Sequence, residues 1–261
     1  MTMATAGASS PPDVIQRDLR RTARITGLFY LGLALTGLLG SVMVRAQLFA
    51  ADNPNATLSN MMEDEWLARL YIVLEMGVVL TQALTAVWFY RLFRSVDTFA
   101  AGSLAAFGMV NAIAIMGSAA LLATALEAAD DASLTVSGGT AATVQLLYVA
   151  SGHLWGVAAM FFGLWLMPMG WLVVRSRWLP QPLGWILIAG GVGYLISAFV
   201  SYLFPDADII SQLLIVPAVI GELWIVGYLI VVGVHERASA PETVGHGTPV
   251  GPGGPLDVAR P

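Results

Sequence analysis

Six long apolar stretches constrain what this chain can fold into. They cover residues 25–44, 67–89, 99–126, 144–174, 183–204 and 211–234. About 20 residues of α-helix cross the hydrocarbon core of a bilayer, so each stretch is long enough to span it. The chain has 261 residues, of which 57% are hydrophobic and 11% charged, whereas soluble domains average about 25% charged residues. We therefore predict an all-α polytopic membrane helix bundle with six transmembrane helices.

The first apolar stretch has a rival interpretation as a cleaved signal peptide. Basic residues precede it, and the segment Val44-Arg45-Ala46 loosely fits a cleavage site. Signal peptides, however, have apolar runs of about 7–15 residues, and this run is longer. We therefore favour an uncleaved span.

The distribution of arginine predicts the orientation of the bundle. All 12 basic residues are arginine. Ten of them fall in the N-terminal segment, in the connections after the second and fourth spans and in the C-terminal tail, which leaves Arg45 and Arg69 for the other side. Cytoplasmic segments of membrane proteins carry the excess of basic residues. We expect a multi-pass protein of the cell membrane, plasma or inner, with both termini cytoplasmic (N-in/C-in).

Two polar tails flank the predicted transmembrane domain, which covers residues 13–237. Residues 1–12 and 238–261 are rich in small residues, proline or glycine, and we predict that both tails are disordered. Residues 13–24 alternate apolar and charged side chains. This pattern fits either a short helix at the cytoplasmic interface or a solvated basic leader.

Five polar side chains inside the predicted spans form the candidate site. They are Glu75 and Gln82 in the second span, Asn111 in the third, His153 in the fourth and Glu222 in the sixth. Polar groups within a bilayer are costly and usually face the bundle interior or a water-filled cavity. At 1.5 Å per residue, Glu75, His153 and Glu222 lie roughly 12–16 Å from the predicted outer ends of their spans. We predict that these three side chains converge on a polar pocket that opens outward.

Two interpretations of these polar side chains remain open. No arginine lies deep enough in the predicted spans to neutralise the glutamates directly. One glutamate could hold or share a proton, and the pocket could bind a small cation or amine, or relay protons. Alternatively, each glutamate is neutral and hydrogen-bonds a neighbouring helix, while His153 and Asn111 serve packing.

The sequence lacks the motifs of several function classes. It has no cysteine and no HExxH motif, so we expect no metal site. It also lacks a phosphate-binding loop and the Gly-x-Ser-Gly motif, with its partner histidine, that intramembrane serine proteases need. The absence of lysine and of a basic face argues against nucleic-acid binding. We therefore predict neither enzyme activity nor a cofactor.

The region around the fourth and fifth spans resembles a known family. Its features are Phe161 to Leu166, Gly170 to Val173, Arg175-Ser176, Leu179-Pro180, Leu183-Gly184 and Gly190 to Tyr194. Residues 24–31 and 221–224 add weaker matches. Together these segments resemble the domain-of-unknown-function 4386 family over about residues 20–235. The resemblance implies a multi-span protein of the bacterial inner membrane, and it supplies no catalytic residues.

Two functions from different classes fit these observations. The first is a binding or transport-type bundle for a small molecule or cation, with the bilayer and a small cationic ligand as partners. The second is a non-catalytic membrane scaffold or partner subunit, whose polar residues hold helices together. A protein partner or a homo-oligomer stays open. The two functions differ in whether Glu75, His153 and Glu222 meet around a cavity.

Overall fold

The chain folds into helices throughout the part that the structure describes. The structure, a computed structural model, describes residues 12–234, and no strand occurs among them. The helices in chain order are α1 (Pro12–Leu38), α2 (Arg45–Leu48), α3 (Pro54–Glu63), α4 (Glu65–Phe93), α5 (Thr98–Asp130), α6 (Thr140–Ser176), α7 (Gln181–Leu203) and α8 (Asp208–Val231). A π-helical segment, Leu39–Val44, joins α1 to α2, and a short 3-10 turn, Ala132–Leu134, follows α5.

Six of these rods are long and apolar enough to cross a membrane. They are α4 to α8 and the continuous rod made of α1, the π-helical segment and α2, which qualifies over Gln16–Leu48. The predicted all-α bundle of six transmembrane helices is therefore confirmed. The additional helix α3 lies in the first connection and was not predicted. Asn53 caps it by accepting a hydrogen bond of 3.0 Å from the backbone N–H of Ala56.

The helix ends differ from the predicted spans most strongly at the start of the chain. Because α1 begins at Pro12 and runs unbroken into the first span, residues 13–24 belong to that spanning helix and do not form a separate interfacial helix. Helices α5 and α6 each extend about one turn beyond their predicted ends at the connection between them. The predicted disordered tails lie outside the described residues, except for Pro12 itself.

The spanning helices pack on one another in chain order, and α8 returns to α1 to close the bundle. The side-chain Nε2 of Gln16 donates a hydrogen bond of 3.0 Å to the carbonyl of Val234, so the two described ends lie together. We call this end of the bundle the terminal face and the other end the opposite face. Near the terminal face α1 and α8 touch, because a Cβ on Gly27 would lie 2.9 Å from Cγ1 of Ile230.

Three aromatic rings from three helices meet in the core. Tyr30 of α1, Phe89 of α4 and Trp165 of α6 contact one another edge to face. The centroids lie 5.7 Å apart for Tyr30–Phe89, 5.5 Å for Tyr30–Trp165 and 5.8 Å for Phe89–Trp165. Aromatic rings favour this geometry because the positive edge of one ring meets the negative face of the other. The contacts hold the Tyr30 ring in one orientation, which directs its hydroxyl toward α8.

Glycines allow α6 and α7 to approach backbone to backbone. A Cβ on Gly163 would lie 2.6 Å from the carbonyl oxygen of Gly191, and one on Gly170 would lie 2.4 Å from that of Gly184. Small residues at helix interfaces are a general means of association in membranes. This close packing fixes the α7 side chains, including Tyr194, relative to α6.

Candidate functional site

Glu222 lies well inside α8, about 21 Å along the axis from Asp208 and about 14 Å from Val231. Its Oε1 accepts a hydrogen bond of 2.5 Å from the hydroxyl of Tyr30. Its Oε2 accepts no hydrogen bond from the described part of the chain, and no arginine there forms an ion pair with it. A carboxyl group at such a depth needs a proton or a cationic partner to offset its removal from water.

Glu222 faces a cavity between α1 and α8, which we call the glutamate cavity. Its volume is about 370 Å³, within the range of about 300–1,000 Å³ that is usual for small-molecule sites. Apart from Glu222 and Tyr30, its lining side chains are aliphatic or aromatic. Leu31 and Leu223 belong to this lining and are 36% and 65% exposed. The cavity therefore opens sideways between the two helices, toward the position of the lipid.

Glu75 of α4 is buried and has partners of its own. The indole Nε1 of Trp155 on α6 donates to both carboxylate oxygens, at 2.9 Å and 3.2 Å. The hydroxyls of Ser118 and Tyr71 also lie beside this carboxylate. Ser118 itself is 2.8 Å from the hydroxyl of Ser151. Glu75 thus joins α4 to α5 and α6 through polar contacts.

An aromatic stack lies between the two glutamates and extends to α7. Trp155 bonds Glu75 through its nitrogen, and its side chain also lines the glutamate cavity. Trp155 stacks on Phe162 with centroids 6.4 Å apart, and Phe162 stacks on Tyr194 at 5.9 Å. We call Trp155, Phe162 and Tyr194 the aromatic wall. Trp155 and Phe162 line the glutamate cavity. Tyr194 lines a different cavity, and its hydroxyl is also close enough to Glu222 to interact with it electrostatically.

His153 lies in that second cavity, which we call the arginine cavity. It is lined by side chains that include Arg45, Phe49, His153, Tyr194, Ser201 and Tyr202, and its volume is about 530 Å³. The His153 side chain is exposed, with its Nδ1 3.3 Å from the hydroxyl of Tyr202. Because the cavity lies beside the ends of α2 and α7, it is close to the opposite face.

Gln82 and Asn111 line neither of these two cavities. Their side chains are 0% and 1% exposed, on α4 and α5. None of their four side-chain amide atoms has a hydrogen-bond partner among residues 12–234. Buried polar groups are normally paired, so these two amides are the least satisfied polar side chains of the core.

The structure does not bring the five predicted site residues into one pocket. Glu222 lines the glutamate cavity, His153 lines the arginine cavity, and Glu75 is bonded between helices. Gln82 and Asn111 are enclosed in the α4–α5 region. The predicted convergence of Glu75, His153 and Glu222 is therefore replaced by three separate positions. The physical reason is that large aromatic side chains fill the space that the inward faces of the helices share.

Three residues outside the five predicted ones also hold the glutamates or lie beside them. Tyr30 and Trp155 hold the two glutamates, but in the sequence they look like ordinary apolar residues of a span. Arg45 was assigned to a connection, yet its Nη1 is 3.4 Å from the hydroxyl of Tyr71, which lies beside Glu75. Its position directly after an apolar run was the one sequence signal for this inward reach.

Comparisons with known proteins bear on this bundle as a whole. No curated protein and no solved structure matches the chain. A family model described as "Domain of unknown function (DUF4386)" matches residues 25–233. This range covers all six spanning rods except for the first part of α1. With most of its length matched, the chain belongs to the DUF4386 family.

Proposed function

We propose that this chain is a non-enzymatic, binding or transport-type membrane bundle whose ligand is a small hydrophobic amine held in the glutamate cavity. The observation that carries the proposal is Glu222. Its carboxyl group faces a cavity of about 370 Å³. One oxygen accepts a hydrogen bond from Tyr30, and the other accepts none from the part of the chain that the structure describes. The ligand enters sideways from the bilayer, between α1 and α8.

The charge of Glu222 favours a cationic ligand. An ammonium group donating to Oε2 would neutralise a carboxylate that has no other cationic partner among the described residues. The rings of Tyr30, Trp155 and Phe162 also line the cavity, and aromatic faces attract organic cations. The attraction between the ligand and Glu222 therefore offsets the free-energy cost of moving both charges out of water.

The lining favours an organic amine over a bare metal ion. Metal ions such as Ca²⁺ take 6–8 oxygen ligands, whereas the glutamate cavity offers the carboxylate of Glu222 and the hydroxyl of Tyr30. Within residues 12–234, no group of three acidic or histidine side chains is arranged to hold a metal. Aliphatic and aromatic walls instead suit a hydrocarbon body attached to the amine.

Binding of octylamine to the purified protein in lipid nanodiscs tests the proposal. We expect octylamine to raise the unfolding temperature of the wild type, and uncharged octanol to have a much smaller effect. In Glu222→Gln the loss of a buried charge partner costs about 2 kcal/mol or more, which is roughly a thirtyfold increase in Kd. The matched control is Glu127→Gln, which removes an exposed carboxylate outside the glutamate cavity.

A second variant keeps the test decisive if Glu222→Gln folds poorly. Ala34→Phe leaves Glu222 in place but narrows the cavity from its exposed α1 side. Ala34→Phe should weaken octylamine binding. The small shift in unfolding temperature that octanol causes should stay the same as in the wild type. Equal octylamine affinity in the wild type, Glu222→Gln and Ala34→Phe would refute the proposal.

We infer in addition that the terminal face is cytoplasmic, in the cell membrane. The support is the arginine distribution, because ten of 12 arginines precede α1's apolar part, follow α8 or lie in connections on that side. A reporter enzyme fused after Val234 tests this, since alkaline phosphatase works outside the cytoplasm and green fluorescent protein folds inside it. Activity of the phosphatase fusion at full level would contradict the assignment.

The scaffold alternative also has an observation in its favour. Several buried polar groups join helices without lining either cavity; Thr57, for example, donates a hydrogen bond of 2.7 Å to Oε1 of Gln145. Under this alternative, Glu222 and Tyr30 are one more interhelical pair, and octylamine binds all variants equally. The binding experiment therefore separates the two functions.

A further inference from the structure

The arginine cavity lies across the aromatic wall from the glutamate cavity and has the opposite charge character. Its lining contains Arg45 and His153 together with the hydroxyl-bearing side chains of Tyr194, Ser201 and Tyr202. No carboxylate belongs to this lining. A ligand of this cavity therefore differs in charge from the amine that we assign to the glutamate cavity.

Arg45 reaches into the bundle instead of extending toward the nearest helix end. Its Nη1 is 3.4 Å from the hydroxyl of Tyr71, and its Nη2 is 3.3 Å from the carbonyl oxygen of Tyr148. Its guanidinium carbon also lies 4.7 Å from the ring centroid of Phe49. A guanidinium has five N–H donors, so these two long hydrogen bonds leave donors directed at the cavity.

Arg45 has no ion-pair partner within residues 12–234. The ion pairs there join Arg69 to Glu65 and Arg175 to Asp97. Arg45 interacts electrostatically with the carboxylate of Glu75 but forms no ion pair with it. The hydroxyl of Tyr71 lies beside that carboxylate, which also accepts a hydrogen bond from the indole N–H of Trp155. The positive charge of Arg45 is thus left without a direct counter-ion in a partly enclosed space.

The opposite wall of the cavity supplies further donors. The hydroxyl of Tyr202 and Nδ1 of His153 are 3.3 Å apart, so one of them donates to the other and the pair retains an additional N–H or O–H. Tyr194 contributes its ring to the lining, whereas its hydroxyl is close enough to Glu222 to interact with it electrostatically, so we do not count it among these donors. These donors suit an acceptor-rich ligand.

Two glycines of α6 bring the donors of both walls close together. A Cβ on Gly152 would lie 2.9 Å from Nη2 of Arg45, and a Cβ on Gly156 would lie 2.9 Å from the hydroxyl of Tyr202. Gly152 and Gly156 are one turn apart on the same helix face, a separation of ~6 Å. Arg45 and Tyr202 therefore both lie against this stretch of α6, and a phosphate has more acceptor oxygens than a carboxylate to offer to the donors of the two walls.

We propose that the arginine cavity is a phosphate-binding site that is entered from the opposite face. Arg45 binds two phosphate oxygens, and the His153–Tyr202 pair donates to another. The phosphate belongs either to a soluble molecule or to the headgroup of a lipid, and both sources present the same oxyanion. This site is independent of Glu222 and goes beyond the amine-binding function.

The experiment measures phosphate binding to the full-length protein, purified in a non-ionic detergent and stripped of lipid. One arm uses equilibrium dialysis with ³²P-labelled inorganic phosphate, and the other uses native mass spectrometry with dioleoyl phosphatidylglycerol. In the arm that binds, Arg45→Gln should weaken binding on the order of tenfold or more, as expected when a charge-assisted donor pair is lost. Arg69→Gln is the matched control, because Arg69 is exposed on the same side of the bundle and lies outside the arginine cavity.

Arg45→Lys covers the case in which Arg45→Gln does not fold. It keeps the positive charge but loses the paired donors of the guanidinium, so binding should still weaken several-fold. Loss in the dialysis arm identifies a soluble phosphate, and loss confined to the mass-spectrometry arm identifies a lipid headgroup; both support the site. Glu222→Gln should leave either result unchanged. The proposal is overturned if the wild type binds neither probe, or if Arg45→Gln binds as the wild type does; where Arg45→Gln does not fold, wild-type binding by Arg45→Lys overturns it.

Discussion

Removing the hydroxyl of Tyr30 is the most direct test of how Glu222 is held. Tyr30→Phe deletes the donor of the 2.5 Å hydrogen bond and keeps the ring. The phenyl ring retains its edge-to-face contacts with Phe89 and Trp165, each worth about 0.5–1.5 kcal/mol. We therefore expect the variant to fold with its core packing intact.

The expected loss follows from the environment of the bond. Taking away one partner leaves the half-buried carboxyl group of Glu222 without a donor, and such a loss costs about 1–3 kcal/mol in protein interiors. Hydrogen bonds between membrane helices average nearer 0.6 kcal/mol, with values up to about 1.7. The glutamate cavity allows partial rehydration of Glu222, so we expect Tyr30→Phe to lower the free energy of unfolding by about 1–2 kcal/mol.

A double-mutant cycle isolates this interaction. Unfolding by increasing mole fraction of sodium dodecyl sulfate, followed by circular dichroism, gives the free energy for wild type, Tyr30→Phe, Glu222→Met and the double variant. Once Glu222 is replaced by methionine, Tyr30→Phe should cost close to zero, so the coupling energy is also about 1–2 kcal/mol. In a control cycle with Glu127→Gln, the two changes should be additive within about 0.5 kcal/mol. Equal costs of Tyr30→Phe in both Glu222 backgrounds would refute the assigned bond.

Three further predictions concern packing, pH and buried amides. Gly170→Ala should destabilise the bundle by about 1–3 kcal/mol, because its Cβ would lie 2.4 Å from a carbonyl oxygen of α7; Gly227→Ala, which meets nothing within 4 Å, should not. Asp97 accepts a hydrogen bond from the backbone N–H of Ala100 and lies beside Arg175. Mainly because of this hydrogen bond, and further because of the positive charge of Arg175, the pKa of Asp97 lies below its ordinary value of 3.8. The carboxylate of Asp97 therefore stabilises the fold above that pH, and this stabilisation is lost as pH falls through the lower pKa of the folded state. The thermal unfolding of Asp97→Asn should thus approach that of the wild type progressively as the pH is lowered below 3.8. Leucine at both Gln82 and Asn111 should leave stability unchanged or raise it, since no hydrogen bond is lost; a loss above about 1 kcal/mol in detergent unfolding would contradict this.

The six spans could be predicted from the sequence because crossing a bilayer depends on the length and hydropathy of consecutive residues. Both properties are local, and they do not require knowledge of which helices touch. Hydropathy does not predict the start of α1 at Pro12, because residues 13–24 carry several charges and the apolar pattern of the first span begins only after them. Helix α3 was missed because ten residues with a proline and a capping asparagine give a signal that is too short for a span.

The sequence predicts which polar side chains of the site face the interior of the bundle, but it does not predict which side chains they contact. Glu75 and Gln82 are seven residues apart, a spacing that puts them on one face of a helix, and both are buried. Which side chain meets them depends on the rotation and register of neighbouring helices, and one sequence does not determine these. Trp155 and Tyr30 therefore remained ordinary aromatic residues until the positions of α6 and α1 were known.

The separation of the two charged cavities has a physical consequence for what each can bind. If Arg45 and Glu222 met inside the bundle, they would form an ion pair and neither would need a ligand. The aromatic wall of Trp155, Phe162 and Tyr194 lies between them and offers few polar groups that could relay one charge to the other. In this low-dielectric setting, each charged group gains more from a ligand of opposite charge than it would in water. Phe162→Ala removes the middle ring of the wall. If the wall keeps the two sites independent, then in the Phe162→Ala background Glu222→Gln should also change phosphate binding and Arg45→Gln should also change octylamine binding. If each change still affects its own ligand alone, the wall does not have this role.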